Sequence, residues 1–240
     1  MHIMLTGHRG YIGTELLKRL QKNNSIVGFD LVDGQDLASI QLKEKFDLII
    51  HLAGNSGVRD SFNNPHDYWF NNLEVFKRIL NIYGDTTRIL YASSSSAAEP
   101  ELNPYAASKF LMEIAASKYA NTLGMRFHTV YSANPRKGMF IQKLIDQELQ
   151  YTTNHFRDFI HLEDLCDAIE LLISTNLTDI IDIGTGKPVL ISDLAPDYPV
   201  KIDTYGERQE TRANISHLTS LGWQPKYEIK KFLTRCLCTK

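Results

Sequence analysis

A chain of 240 residues with 43% hydrophobic and 22% charged residues has enough apolar material for a sizeable core, which excludes a disordered or low-complexity protein. A formal charge of -2 puts no field of one sign over the surface, so bulk electrostatics point to neither nucleic acid nor a membrane. Cys166, Cys236 and Cys238 are too few and too oddly placed for a disulfide framework or a four-ligand zinc site, and no run approaches the roughly 18 apolar residues of a membrane span.

The first element is a strand, HIMLT over His2 to Thr6. The chain enters it without a basic segment followed by a long apolar one, and with its few cysteines this leads to an expected cytoplasmic location. A helix follows in YIGTELLKRLQK, then strands in SIVGFD (Ser25 to Asp30) and in DLIIHLAG (Asp47 to Gly54). Helical periodicity around Pro65 to Ile82 leads to a strand at Arg88 to Ser94, a helix around Pro104 to Thr122 and a strand at Gly124 to Tyr131. Strands joined by helical crossovers pair in parallel, so the expected fold class is α/β, a doubly wound parallel sheet of the Rossmann kind. After Tyr131 the elements shorten, with turn signals at Gly184-Thr185-Gly186 and Pro196 to Pro199, as in a small C-terminal α/β substrate lobe. The expected division is residues 1–131, to which segments near 155–185 return, and residues 132–240 as mainly the lobe.

Between the first strand and helix stands TGHRGYIG, with Gly7, Gly10 and Gly13. One glycine permits a tight turn, another lets the backbone approach a pyrophosphate, and the helix start offers free N–H groups to the phosphates. Asp30 ends the second strand, 17 residues beyond Gly13, where a carboxylate accepts hydrogen bonds from an adenosine ribose. The same carboxylate repels a 2'-phosphate, which favours NAD over NADP. A glycine turn that merely packs helix on strand is the plain alternative.

Tyr105 and Lys109 in NPYAASK are four residues apart, on one face if the segment is helical. A nearby ammonium favours the phenolate and so suits the tyrosine to proton transfer. Upstream, YASSSS ends a strand and can present Ser94 to the same cleft, where its hydroxyl would orient a reacting hydroxyl. Taken singly, an amphipathic surface helix and a polar serine loop account for these two stretches.

Together these motifs resemble the extended short-chain dehydrogenase/reductase family of NAD-dependent epimerases and dehydratases, over nearly the whole chain. DLIIHLAG resembles its fourth-strand motif, Asp36-Leu37 its adenine-side acidic turn and Asn72 its helix asparagine near the nicotinamide; RDFIHLEDL (Arg157 to Leu165), IDIGTG (Ile181 to Gly186) and LGWQPK (Leu221 to Lys226) resemble later segments. The resemblance implies a catalytic triad of Ser94, Tyr105 and Lys109, with Tyr105 as acid and base and Lys109 on the nicotinamide ribose. It implies an NAD site formed by Gly7, Arg9, Gly10, Tyr11, Ile12, Gly13, Asp30, Asp36, Leu37, Leu52, Ala53, Gly54, Asn72, Ala92 and Ser93 with Tyr105 and Lys109. A homodimer through the helices holding Asn72 and Tyr105 is implied too.

Within the family, SGVRDSFNNPHDYWFNNL (Ser56 to Leu73), YASSSS and RFHTVY (Arg126 to Tyr131) are most similar to UDP-glucuronate 4-epimerases. This similarity implies a nucleotide-sugar substrate whose uronate carboxylate meets Thr129 and Arg136, with Arg157 on the diphosphate and Arg59, Ser94 and Ser95 nearby; a guanidinium suits such oxyanions. The 4-epimerase reaction would run through a 4-keto sugar. The stretch from Ser94 to Tyr105 is shorter than in the family, Ala97-Ala98-Glu99 and Ser132-Ala133 depart from its pattern, and the brief Asp30 to Asp36 segment and GHRG are closer to its reductase branches. A 4-keto-sugar reductase is therefore the alternative reading, and a non-catalytic dinucleotide sensor is a second. Ser95 and Ser96 occupy the places of the Asp-Glu pair of the sugar dehydratases, which disfavours elimination. His8, His51, His128, His155 and His161 are scattered and Arg235 to Lys240 is short, so neither a metal nor nucleic acid is expected.

Overall fold

In the computed structural model, which describes residues 1–202 and 205–238, β1 (His2–Thr6) is buried from Ile3 onward. It lies between β2 (Ser25–Phe29) and β3 (Leu48–His51), parallel to both, with Ile3 opposite Ile26 on one side and Leu48 on the other. A strand covered on both faces is a continuous apolar run rather than an alternating one, and both MLT and LIIH read that way. β4 (Arg88–Ser94) pairs with β3, and β5 (Thr122–Phe127) and the strand Ile180–Ile183 complete a six-stranded parallel sheet ordered β2-β1-β3-β4-β5 and then Ile180–Ile183. This is the α/β sheet that the sequence predicts. Strand order reverses between β1 and β3, the switch point at whose carboxyl ends open α/β sheets bind their ligands.

Two compact units result. The first comprises Met1–Arg126 and Leu172–Ile181, the second Phe127–Leu171 and the chain from Asp182 onward. In the first, α1 (Tyr11–Leu20) buries Gly13, Leu16 and Leu20. α2 (Val58–Asn63) and α3 (Pro65–Tyr68) lead through a π-helical turn, Trp69–Glu74, into α4 (Val75–Tyr83), whose Phe76, Ile79, Leu80 and Tyr83 join Met4, Ile49, Ile89 and Met112 in one core.

α5 (Pro104–Ala116) stops short of the predicted Thr122. The hydroxyl of Thr122 donates to the carbonyls of Ala116 (3.0 Å) and Tyr119 (3.1 Å), and Ile89 N–H takes the carbonyl of Asn121 (2.9 Å), so the helix ends six residues early and the chain enters β5 at Thr122. The strand predicted over Gly124 to Tyr131 is two strands. His128 N–H bonds to Ile183 O (3.1 Å), and the next residues, Thr129–Tyr131, pair in parallel with Phe159–His161 instead.

The second unit has its own core, in which Tyr131, Ile141, Leu144, Phe159, Leu194, Ile229 and Leu233 meet. Its strands are short: Phe156–Arg157 runs antiparallel to Val189–Leu190, and Thr152–Thr153 runs parallel to Val200–Lys201. The helix Leu162–Ile173 and the C-terminal helix Ile229–Cys238 are its longest elements.

Candidate active site

α1 begins at Gly10 in an extended conformation, with no side-chain cap and no acidic residue in its first turn. A helix start with neither suits an anion, toward which the positive end of the helix dipole points. Gly7 holds φ +69°, and a Cβ there would stand 2.7 Å from Ala53 N. At Gly13 a Cβ would come within 2.0 Å of Gly7 O, so loop and helix pack at a backbone distance that only glycine permits. Such a cradle fits a dinucleotide pyrophosphate. Arg9 and Gly10 are exposed on it, while Tyr11 and Ile12 are half-buried.

Asp30 lies just past β2, its Oδ2 accepting Arg9 N–H (3.0 Å) and its Oδ1 Val32 N–H (3.1 Å). Each oxygen keeps a further lone pair for a ribose hydroxyl. Asp36 is exposed and accepts Ala38 N–H (2.9 Å), Leu37 is buried, and the Arg78 guanidinium donates to the carbonyls of Leu37 and Ile40. Beyond β3, the half-buried Leu52 and Ala53 run to the exposed Gly54, with Ala53 N–H held by Thr6 Oγ1 (3.1 Å).

Asn72 is fully buried in the π-helical turn. Its Oδ1 accepts Asn55 N–H (2.7 Å), and its Nδ2 donates to Asn55 O (3.1 Å) and Ser108 Oγ (2.8 Å). Ser108 in turn donates to Tyr105 O (2.8 Å), so the β3 loop, the π-turn and α5 form one network. α5 is started by Asn103, whose Oδ1 accepts Ala106 N–H (2.8 Å), and by Pro104 in its first turn. That start fixes Tyr105 and Lys109 one turn apart. Tyr105 is half-buried, edge-on to Tyr68 with ring centres 6.0 Å apart.

Lys109 is buried, and its Nζ donates to Ala92 O (2.8 Å). Burial lowers its pKa to about 8, against the opposing charge of Glu113. A Cβ on Gly54 would meet Asn72 Oδ1 at 2.5 Å and Lys109 Nζ at 3.6 Å, so the three predicted residues converge. Ser93 and Ser94 end β4, both buried, and Ser94 Oγ accepts Ser96 N–H (3.1 Å), while Ser95 is half-buried.

Three supporting residues were given no part in the site by the sequence reading. Glu113, one turn beyond Lys109 and almost fully buried, accepts from Ser93 Oγ (2.5 Å) and takes Arg126 in a two-pronged bond (2.8 and 2.6 Å). A carboxylate on the apolar stripe of α5 was the available signal. His51 is buried with Nδ1 2.8 Å from Thr6 Oγ1, the same hydroxyl that accepts Ala53 N–H (3.1 Å). Burial, then the charge of Lys109, lowers the His51 pKa to about 3 and keeps the ring neutral. Ser108 reads as an ordinary helix residue and gave no signal.

Arg59 is exposed on α2. In the second unit, Thr129 is half-buried with its N–H on Asp158 O (2.9 Å), and Arg136 is half-buried. Arg157 donates to Glu207 Oε2 (3.1 Å) and Phe156 O (3.0 Å); burial lowers its pKa, Glu207 opposes this, and the nearby charge of Arg208 lowers it further. Arg208, a second guanidinium close to Arg157, was not singled out from the sequence. Among the described residues no cluster of His, Cys, Asp and Glu could hold a metal ion, and no helix is long and apolar enough to cross a membrane.

Comparisons with known proteins point the same way. A probable UDP-glucuronate 4-epimerase of Rhizobium meliloti is 29% identical over 70% of this chain and 67% of its own length. The solved structure of MoeE5 with UDP-glucose and NAD aligns with a TM-score of 0.86 at 25% identity, over 98% of this chain and 96% of that one. The UDP-glucuronic acid 4-epimerase of Bacillus cereus, solved with UDP-glucuronic acid and NAD, shares the fold with a TM-score of 0.87 at 23% identity, over 98% of this chain and 97% of that one. Residues 3–184 match the NAD dependent epimerase/dehydratase family, and with three quarters of its length inside that match the chain belongs to it.

Proposed function

We propose that the protein is an NAD-dependent nucleotide-sugar 4-epimerase acting on a UDP-glucuronate-like substrate. The observation that carries the reading is the convergence of Lys109, Asn72 and Gly54 beside Tyr105, next to a glycine cradle built for a pyrophosphate. The names of the relatives support the substrate class.

In this reading the cradle of Gly7 to Gly13 holds the pyrophosphate of NAD, Asp30 the adenosine ribose, Asp36 and Leu37 the adenine side, and Leu52 to Gly54, Asn72, Ala92 and Ser93 the nicotinamide half. Bound NAD supplies a hydride acceptor that becomes the donor in the return step. Tyr105 takes the proton of the sugar 4-hydroxyl as the 4-keto sugar forms, and gives it back when the opposite face has been reduced. Lys109 provides the counter-charge for a Tyr105 phenolate and a donor for the nicotinamide ribose. Ser94 orients the sugar hydroxyl, with Ser95 and Arg59 close by. Thr129 and Arg136 take the uronate carboxylate and Arg157, with Arg208, the diphosphate, a task for which planar guanidinium groups are suited. The first unit is then the dinucleotide domain and the second mainly the sugar-binding lobe.

Denaturing the purified protein and identifying any released dinucleotide tests the cofactor. Incubation with UDP-glucuronate should give an equilibrium with UDP-galacturonate and no net consumption of NADH. Tyr105→Phe should lose turnover by a factor of about 10³ or more while keeping its NAD. The short Asp30 to Asp36 turn favours one other reading, a 4-keto-sugar reductase, in which added reduced cofactor is consumed stoichiometrically. Exposed Trp69, Phe70, Ile82 and Ile114 on and beside the helices of Asn72 and Tyr105 support a homodimer, which sedimentation checks. Cys166 and Cys236 are in no disulfide, in keeping with a cytoplasmic enzyme.

A further inference from the structure

The turn after β2 does more than carry Asp30. Asp30 caps a 3-10 turn, Leu31–Asp33, which ends on Gly34 at φ +73° and swings Asp33 back over the glycine cradle. There Asp33 Oδ2 lies 2.9 Å from His8 Nε2 and Asp33 Oδ1 3.2 Å from Arg9 Nε. The His8 ring is seated against Gly28 of β2, where any Cβ would be 2.6 Å from Nδ1, so the ring fills a space that a side chain at position 28 would close. His8 is largely covered, with a side chain 11% exposed, whereas Arg9 is 56% exposed and is directed by its partner rather than by packing. Two basic side chains of the cradle are thus tied to one carboxylate, and the backbone N–H of Arg9 is tied to Asp30.

We propose that Asp33 is a specificity-determining residue that makes the site select NAD over NADP by withholding Arg9 and His8 from a 2'-phosphate. The inference rests on the reading of the glycine cradle as the NAD site. A phosphate on the adenosine 2'-oxygen would be placed at Asp30, beside a guanidinium and an imidazole that are the natural partners of a dianion. With Asp33 present, Arg9 and His8 are already engaged and two carboxylates face the incoming charge. With Asp33 removed, the same two side chains become an anion site on the rim of the cradle. Asp33 is thus a positioning residue for Arg9, and its effect is confined to the ligand that carries the extra phosphate.

The test is direct titration of purified protein, stripped of bound dinucleotide, with NAD and with NADP, for wild type, Asp33→Asn, Asp33→Ala and Asp33→Ala combined with Arg9→Ala. Wild type should bind NAD well and NADP poorly. Asp33→Ala should tighten NADP about tenfold and change NAD by less than threefold, Asp33→Asn should fall between, and Arg9→Ala should remove the gain. Equal weakening of both ligands in the Asp33 variants, with native circular dichroism, would mean that Asp33 only braces the loop and would overturn the inference. Unchanged NADP affinity in both variants would overturn it as well. If wild type binds neither dinucleotide, the failure belongs to the cofactor reading and takes this inference with it.

Discussion

In the first unit, backbone pairing runs in register for five residues between β1 and β2 and for four between β1 and β3 and between β3 and β4. In the second, the described strand pairs extend over three residues or two, and long-range order rests on buried carboxylates. Asp158, wholly buried, accepts Thr185 N–H (2.7 Å), the Thr185 hydroxyl (2.6 Å), Gly186 N–H (2.8 Å) and Ala213 N–H (3.0 Å). Asp164 does the same for Lys226 N–H and Tyr227 N–H, at 3.0 Å each. A ladder spreads its stabilisation over many equivalent bonds. A carboxylate concentrates it in one side chain, so the two units should respond very differently to single substitutions.

The largest expected effect is therefore at Asp158. Replacing it by Ala leaves the buried donors of Thr185, Gly186 and Ala213 without their acceptor, and a buried unsatisfied group costs about 1–3 kcal/mol. A loss of about 4 kcal/mol or more in urea unfolding is expected, with Asp158→Asn intermediate because an amide keeps one acceptor oxygen. A loss below about 1 kcal/mol would erase the contrast between the units.

The comparison sharpens at Lys109, where the first unit gives up stability for a charge in its core. Its pKa falls from 10.5 to about 8, so between those values the unfolded chain binds more protons than the folded one, and stability rises as pH rises through that window. Below it the buried charge costs about 3 kcal/mol. Lys109→Met should raise stability at pH 7 by about 2 kcal/mol, less than the full amount because Ala92 O loses its donor, and should abolish turnover. The gain should shrink toward pH 10. His51 acts at the other end: with its pKa lowered from 6.5 to about 3, stability falls as pH drops through that interval, and His51→Gln should flatten the acid limb of a thermal-melting series.

Elements whose cause is local were legible in the sequence. The β1–loop–α1 unit announces itself by an apolar run, three glycines and a helical period, and Tyr105 and Lys109 by their spacing on a capped helix. What failed to read depends on partners far along the chain. The break at His128 is imposed by Ile183 and Asp158, and the early end of α5 by a hydroxyl six residues beyond Ala116. Glu113 was passed over for the same reason, since its partners Ser93 and Arg126 come together only when β4 and β5 pack beside α5. The Asp33 turn is intermediate: Asp30 could be placed from its distance to Gly13, but nothing in the sequence says that the next carboxylate folds back onto His8 and Arg9.

Asn103 is where the first unit behaves like the second, using one buried side chain to hold backbone near the candidate site. Its Oδ1 accepts Ala106 N–H, and removal of such a cap costs about 1 kcal/mol. Asn103→Ala should show that loss, and Asn103→Asp, which keeps the acceptor, should restore it. The consequence for catalysis differs from that for stability. Fraying reaches Tyr105, in the first turn of α5, but not Lys109, which is a turn deeper and anchored on Ala92 O. A few-fold fall in kcat with NAD affinity unchanged is expected for Asn103→Ala. A fall in both together would mean that α5 moves as a rigid body and that the cap sets its docking rather than its first turn.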